Sequence, residues 1–390
     1  MATTPHVSRG SVEQRRRWTS MPVDVWPSLT IAVMWIAVLC DALFGPNIET
    51  SNGQYDWTPL DAQVAAARNV GAQPMIVLGQ APRFHSSKPG SIDYADYMPD
   101  VSAWKTYVTK VAQRYGTRLD YQVWPEPNIV QNWKSSPAQM AQLTAVASKA
   151  IKATAGKAAR VVSPAVALRL SSQRAWTIGY FRQSVGGVRV HRYIDAIAID
   201  PFPEQKGTPE DSFRIMTSIK AQLARIGVRK PFWNNEINYG VAGGGATTAT
   251  RYSVDKQQSY LIRTFALSAA ARMERTYWLA WFKSPALAVN MTGDQGQALP
   301  TAKSYEVVRS WFNTTSFQGC AKKAGGLWVC TATKGRGDVR RLYWNPSRRS
   351  TVKTPRSTVR VENKDGGVNT RRGSYAIRVD YRPVMVASRS

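Results

Sequence analysis

The sequence contains few of the residues that usually hold metal ions. Its 390 residues include only three cysteines and three histidines. His6, His85 and His191 are scattered along the chain, and no cysteine joins them at a metal-ligand spacing. The sequence therefore predicts no metal site and no cofactor. It also lacks a Gly-x-Ser-x-Gly motif, which argues against a serine hydrolase.

No apolar run is long enough to cross a membrane. The longest candidate, Leu29–Cys40, has twelve residues, whereas a spanning helix needs about 20. Because the basic residues Arg15–Arg17 precede it, this segment resembles a secretory signal or an anchor. A buried barrel strand is the alternative, and the sequence does not decide between them. We expect an extracellular or cell-envelope location, a monomer, and a membrane anchor only if the segment is retained.

Acidic residues are scarce, and their deficit is greatest near the C-terminus. The net charge is +27, and residues 313–390 hold 17 Lys+Arg against 4 Asp+Glu. Such a basic region favours a polyanionic partner such as an anionic polysaccharide, although a solvated basic surface is the alternative. No nucleic-acid recognition motif accompanies the charge, so no nucleic-acid partner is expected. Cys320 and Cys330 lie ten residues apart in this region and form either a disulfide or two reduced thiols.

Apolar runs and amphipathic stretches alternate along the middle of the chain, which predicts parallel βα units. Six strands are predicted after residue 70, at 74–79, 119–123, 159–164, 194–199, 230–232 and 275–281. We also predict a helix over 180–185 and a glycine-rich lid loop that includes Gly243–Gly245. Two more strands before residue 70 would complete a (β/α)8 TIM barrel. The predicted organisation is an N-terminal segment (1–45), a barrel (46–312) and a small antiparallel β domain (313–390).

Two predicted strands are each followed by a single glutamate. Glu126 lies in Trp124–Asn128, and Glu236 lies in Trp233–Asn238. Because the carboxyl ends of parallel strands meet at one edge of a barrel, we expect the two carboxylates to converge there. Such a pair can supply the acid and the nucleophile of glycoside hydrolysis. A glutamate at such a position can also cap the next helix.

These segments resemble the retaining glycoside hydrolases of clan A, and most closely family 39. The resemblance extends from Tyr55 to Phe312. Within that range it is also carried by residues 77–82, 163–165 and 277–281. It implies that Glu126, after strand four, is the acid/base and that Glu236, after strand seven, is the nucleophile. The implied activity is double-displacement cleavage of O-glycosidic bonds in a poly- or oligosaccharide.

Two positions depart from the family pattern. Pro125 stands where the family usually has an asparagine, and Asp200 stands where a histidine is frequent. Pro125, together with an N-terminal segment (1–45) that lacks the expected first two strands, motivates an alternative, a catalytically impaired barrel that binds glycans or cell wall. Structural roles are the alternative for each residue that we predict to bind substrate: Asn128, Trp133, Asn235, Asn238, Tyr239 and Trp281.

Overall fold

The computed structural model describes residues 48–242, 248–312, 315–335 and 337–389. The predicted signal, anchor or strand at Leu29–Cys40 and the predicted lid residues Gly243–Gly245 lie outside these ranges. Within them, no helix is long and apolar enough to cross a membrane.

The first part of the described chain alternates short strands with longer helices. The strands are β1 (Glu49–Ser51), β2 (Gln54–Tyr55), β3 (Met75–Val77), β4 (Asp120–Gln122), β5 (Val161–Val162), β6 (Val166–Ala167), β7 (Ser184–Val185), β8 (Val188–Arg189), β9 (Ile197–Asp200), β10 (Phe232–Ile237) and β11 (Met273–Trp278). The α-helices are α1 (Thr58–Asn69), α2 (Val101–Tyr115), α3 (Pro137–Ala155), α4 (Ser171–Phe181), α5 (Pro209–Arg225), α6 (Val254–Ala270) and α7 (Pro300–Phe312).

All six predicted strands are present as β3, β4, β5, β9, β10 and β11, and they neighbour each other in chain order. Strand β4 pairs in parallel with β3 and β5, and β10 pairs in parallel with β9 and β11. A parallel bridge between Val162 and Ala196 joins the two groups, and β6 adds to β9. Because these strands are parallel, their carboxyl ends lie on the same side of the sheet. Both glutamates lie at that side.

Local sequence explains where the helices begin. Ser136 caps α3 in a reciprocal capping box with Gln139, and Thr208 caps α5 in the same way with Asp211. Proline occupies the first turn of both helices, where its missing N–H costs no hydrogen bond.

The prediction of a helix over 180–185 is wrong. Helix α4 begins at Ser171 and ends at Phe181, and a short antiparallel hairpin of β7 and β8 follows. The positive φ angles of Gly186 and Gly187 allow the tight turn between these strands. The sequence prediction overlooked this glycine pair.

The last part of the described chain contains antiparallel strands. They are β12 (Ser316–Lys322), β13 (Trp328–Lys334), β14 (Asp338–Trp344), β15 (Ser350–Lys353), β16 (Thr358–Asn363), β17 (Val368–Asn369), β18 (Ala376–Val379) and β19 (Val384–Arg389). Their order is β12-β13-β14-β19-β16-β17 in one sheet and β15-β18 in another. Cys320 and Cys330 are register partners on β12 and β13 and form a disulfide.

A buried ion pair fixes the antiparallel strands to the helices. Glu210 on α5 accepts hydrogen bonds from Arg263 Nε on α6 (3.0 Å) and from Trp344 Nε1 on β14 (2.6 Å). Arg263 is only 1% exposed. One apolar cluster extends from α6 and α7 into β13, β14 and β19. Because this core crosses the predicted boundary at residue 313, the division into separate domains stays a prediction.

Candidate active site

Glu126 lies in a turn that leaves the end of β4. Its φ angle is +32°, a left-handed conformation that a residue with a side chain adopts at a cost of roughly 1–2 kcal/mol. The preceding Pro125 packs against Gly79, where an added Cβ would lie 2.9 Å from Pro125 Cδ. The turns after β3 and β4 therefore fit together closely, and this contact holds the backbone next to Glu126.

Asn128 ties the same turn to its other neighbours. Its Nδ2 donates to the carbonyl oxygens of Ala167 (2.6 Å) and Gln173 (3.2 Å), and its Oδ1 accepts from the Ala167 N–H (3.0 Å). These bonds join the Glu126 turn to β6 and α4. They occupy the polar atoms that were predicted to bind substrate. The geometry therefore gives Asn128 a loop-positioning role.

Glu126 and Glu236 are both partly buried, and the charge of Glu126 reaches Glu236. Burial raises the pKa of Glu126 to about 7, and the nearby positive charge of Arg169 opposes this rise. Burial also raises the pKa of Glu236 to about 8, and the negative charge of Glu126 adds to that rise. Each shift has the sign expected when a carboxylate is desolvated or placed near a like charge. The two side chains, 110 residues apart in sequence, thus share a site.

A third carboxylate, Asp200, belongs to the same cluster. It ends β9 and is completely buried. Burial raises the pKa of Asp200 well above its ordinary value, and the charges of Glu236 and Glu126 raise it further. The Asn235 side chain and the Glu236 backbone N–H lie close enough to lower this pKa, but neither Asp200 oxygen has a well-aligned hydrogen bond among the described residues. Two unsatisfied buried oxygens make Asp200 a candidate substrate-contacting group.

Sequence reasoning did not assign a role to Asp200 or Arg169. Asp200 ends β9, which is adjacent to the Glu236 strand, and Arg169 follows β6, which pairs with β9; their position at a strand end was the available signal. Arg169 follows β6, and its charge reaches Glu126. Asp200 pairs in register with Ala167 of that same strand.

Asn238 and Tyr239 are structural in this geometry. The Asn238 side chain donates to the carbonyl oxygens of Leu279 and Val289 and accepts from the Val289 N–H (3.2 Å). The Tyr239 hydroxyl bonds Thr264 Oγ1 at 2.6 Å, within the cluster that also contains α6. These bonds favour the structural alternative for both residues, and substrate binding by Asn238 and Tyr239 stays a prediction.

The two tryptophans that were predicted to bind substrate, Trp133 and Trp281, differ in exposure and packing. Trp133 is 3% exposed, donates to the Ser136 carbonyl (3.2 Å) and packs edge-on against Trp124. It is therefore a core residue that cannot stack on a sugar, contrary to the prediction. Trp281 lies beyond the end of β11, is partly exposed and packs edge-on against Tyr305, so a sugar-stacking role stays a prediction.

The two asparagines before Glu236 are both buried. Asn235 is 1% exposed and approaches Asp200, so it faces the carboxylate cluster. Asn234 donates through Nδ2 to Ser268 Oγ at 3.1 Å. Across residues 48–389, omitting the gaps given above, no group of three His, Cys, Asp or Glu residues has the arrangement of a metal site.

Comparisons with known proteins support the resemblance at the level of the fold. No protein-family model matches the sequence, and no curated protein is similar to it. A family 39 glycoside hydrolase from Bacteroides cellulosilyticus WH2 is 17% identical, with a TM-score of 0.71 over 89% of this chain and 74% of that one. A monomeric beta-xylosidase from Caulobacter crescentus CB15 is 16% identical, with a TM-score of 0.60 over 86% and 85% of the two chains.

The catalytic domain of a family 30 xylanase C from Talaromyces cellulolyticus is also similar in structure. It is 14% identical, with a TM-score of 0.59 over 98% of this chain and 93% of that one. The expected resemblance to clan A glycoside hydrolases, and to family 39 in particular, is thus confirmed for the fold, and the similar structures also include a family 30 enzyme.

Proposed function

We propose that the chain is a retaining glycoside hydrolase on a (β/α)8 barrel with a small C-terminal antiparallel β domain. The observation that carries the proposal is that the charge of Glu126, which follows β4, raises the pKa of Glu236 near the end of β10. Six parallel strands in chain order and the structural likeness to clan A enzymes support the barrel. The disulfide between Cys320 and Cys330 favours an extracellular or cell-envelope location. A monomer with a carbohydrate substrate completes the proposal.

In the proposed reaction, Glu236 attacks the anomeric carbon while Glu126 protonates the departing glycosidic oxygen. The bond to the leaving group breaks as the glycosyl–Glu236 ester forms. Glu126, now ionised, removes a proton from water, which attacks the same carbon and releases Glu236. One proton on the pair suffices for both steps. Like charges in a buried pocket keep such a proton at neutral pH.

The charge of Arg169 opposes the role of Glu126 as the acid. This charge favours the ionised form of Glu126, and Glu236 has the higher pKa of the two in the absence of substrate. The reaction needs the proton on Glu126 at the moment of attack. Because both glutamates have raised pKa values that lie close together, the position of the sugar's anomeric carbon decides their roles, and labelling the nucleophile tests them directly.

The test starts with aryl xylosides and glucosides, because solved structures with this fold include a beta-xylosidase and a glucosidase. Hydrolysis is followed with the wild type, Glu126→Gln and Glu236→Gln, and the exposed Glu306→Gln serves as a matched control. Retention requires that the first sugar product has the anomeric configuration of the substrate, measured by NMR. A 2-deoxy-2-fluoro glycoside should label Glu236, located by peptide mass spectrometry. Label on Glu126, or an inverted product, contradicts the proposal.

A specific observation favours a second candidate, a glycan-binding protein without turnover. Pro125 carries no side-chain donor, and the amide groups of Asn128 and Asn234 are bonded within the protein. Asn235 is the remaining amide of the motif that faces the carboxylates. Micromolar glycan affinity in calorimetry, without hydrolysis of any aryl glycoside over days, would select this candidate.

A further inference from the structure

A second cavity lies far along the chain from the carboxylate cluster, where the first turn of α6 meets the antiparallel strands. It has a volume of about 460 Å³. Asp255 of α6 faces it from one side, and residues near β15, β16 and β18 face it from the other. We call it the arginine cleft, after Arg349, Arg378 and Arg382 in its wall. Its size is that of sites for small ligands, about 300–1,000 Å³.

Two of the four cations in the cleft are paired with acidic residues. Lys364 is 7% exposed and contacts Asp255 Oδ1 (2.7 Å) and Gln258 Oε1 (2.6 Å). Arg382 contacts Asp380 Oδ2 (2.6 Å) and Asp255 Oδ2 (3.5 Å). These bonds join α6 to the antiparallel strands and account for both aspartates.

The side chains of Arg349 and Arg378 have no hydrogen bond or ion pair within the described ranges, and both are exposed. In the register of β15 and β18, Arg378 lies opposite Thr351 and Ser350 lies opposite Val379. Arg349 precedes Ser350, so the register continues with Arg349 opposite Asp380, and the charge of Arg349 helps to lower the pKa of Asp380. Because side chains alternate between faces, the two arginines project from the same face as diagonal neighbours.

Diagonal neighbours have Cα atoms about 7–8 Å apart, a spacing that lets two guanidinium groups converge on one oxyanion. Each planar guanidinium can give two parallel N–H bonds to a carboxylate. Asp365, which also lines the cleft, leaves four cations against three aspartates. A single excess positive charge favours binding of a monoanion. A dianion would be repelled by Asp255 and Asp380.

We propose that the arginine cleft binds the carboxylate of an acidic sugar, separately from catalysis. Only the choice of a sugar as the carrier of the carboxylate rests on the proposed function. The Asn363 side chain and Asp365 at the rim offer polar groups to sugar hydroxyls. Binding holds the chain on a uronic-acid-bearing glycan through the antiparallel strands.

The test is calorimetric titration of the full chain with an oligogalacturonide of four sugars. The double variant Arg349→Gln/Arg378→Gln should weaken binding at least tenfold. The matched control Arg371→Gln/Arg372→Gln also removes two charges from exposed positions near β18, and should change affinity less than twofold. Because the remaining interaction of Arg349 with Asp380 is electrostatic and Arg349 is exposed, thermal melting should change little. If the glutamine double variant unfolds, Arg349→Lys/Arg378→Lys replaces it. This variant should still weaken binding, because the lysine ammonium group cannot donate two parallel N–H bonds to one carboxylate.

Equal weakening by both double variants would overturn the proposal, because it would indicate attraction by general charge. Tighter binding of polyglycerol phosphate, inorganic phosphate or a DNA oligonucleotide at the same arginines would also overturn it. The titration does not depend on hydrolysis, so a failure of the proposed catalytic function leaves this result readable. A neutral xylo-oligosaccharide should not bind at the cleft. If it binds the wild type and Arg349→Gln/Arg378→Gln abolishes that binding, the carboxylate assignment is contradicted.

Discussion

Replacing Glu126 with glutamine should change the pH dependence of the first chemical step in a predictable direction. The negative charge of Glu126 is one cause of the raised pKa of Glu236. With a separation of about 5 Å and an effective dielectric constant of about 20, two carboxylates repel by about 3 kcal/mol. That energy equals about two pKa units. The variant should therefore lower the pKa of Glu236 by no more than about two units, because burial is the larger cause of the rise and still holds this pKa above its ordinary value.

The assay is kcat/KM for two aryl glycosides from pH 4 to pH 9. With a dinitrophenyl leaving group, which needs no protonation, Glu126→Gln should keep a rate within about tenfold of the wild type, with its acidic limb moved to lower pH. With a poor phenol leaving group the same variant should lose about 10²–10⁴-fold, the contribution of general acid catalysis. Glu236→Gln should lose activity on both substrates.

The opposite pattern would refute the assignment. If Glu236→Gln hydrolyses the dinitrophenyl glycoside and Glu126→Gln does not, the acid and the nucleophile are exchanged. That result would agree with Arg169 favouring an ionised Glu126. An acidic limb that does not move in Glu126→Gln would show that the two carboxylates do not share a pocket.

Three further predictions concern residues that hold the site and the fold. Arg263→Met leaves Glu210 buried without its ion-pair partner, so urea denaturation should show a loss of about 3–5 kcal/mol, and Arg263→Met/Glu210→Met should recover most of it. Asn128→Ala removes the bonds that hold the Glu126 turn, so kcat should fall with little change in KM and with a stability loss of about 1–3 kcal/mol; an effect on KM alone would instead indicate substrate binding. Gly79→Ala places a Cβ against Pro125, so stability should fall by about 1–3 kcal/mol together with activity, and unchanged values for both would contradict the close fit of the two turns.

The sequence predicted the strands because their apolar runs are short, continuous and bounded by polar or glycine residues. It predicted the two glutamates because each directly follows such a run. Both inferences use only local order along the chain. The helix predicted over 180–185 failed because a glycine pair, Gly186–Gly187, decided the structure of the residues before it.

The roles of the residues near the site were harder to predict, for a different physical reason. Asn238 bonds Val289, which is 51 residues away, and Asn128 bonds Ala167, which is 39 residues away. A sequence motif shows that an asparagine is near a catalytic glutamate, but not which carbonyl groups surround its amide. Trp133 shows the same limit, because its contact with Trp124 places it in the core.

Asp200 shows how a departure from a family pattern acquires meaning in three dimensions. In the sequence it stands where the family often has a histidine, and the sequence alone did not decide whether this impairs activity. In the structure it is a buried carboxylate whose oxygens lack well-aligned donors, beside two others that repel its charge. Burial and the two neighbouring charges all favour the protonated form of Asp200. In that form the carboxyl group has an O–H donor and an acceptor oxygen, and an asparagine amide also has a donor and an acceptor. Asp200→Asn should therefore be far milder than Asp200→Ala when hydrolysis is measured at pH 7.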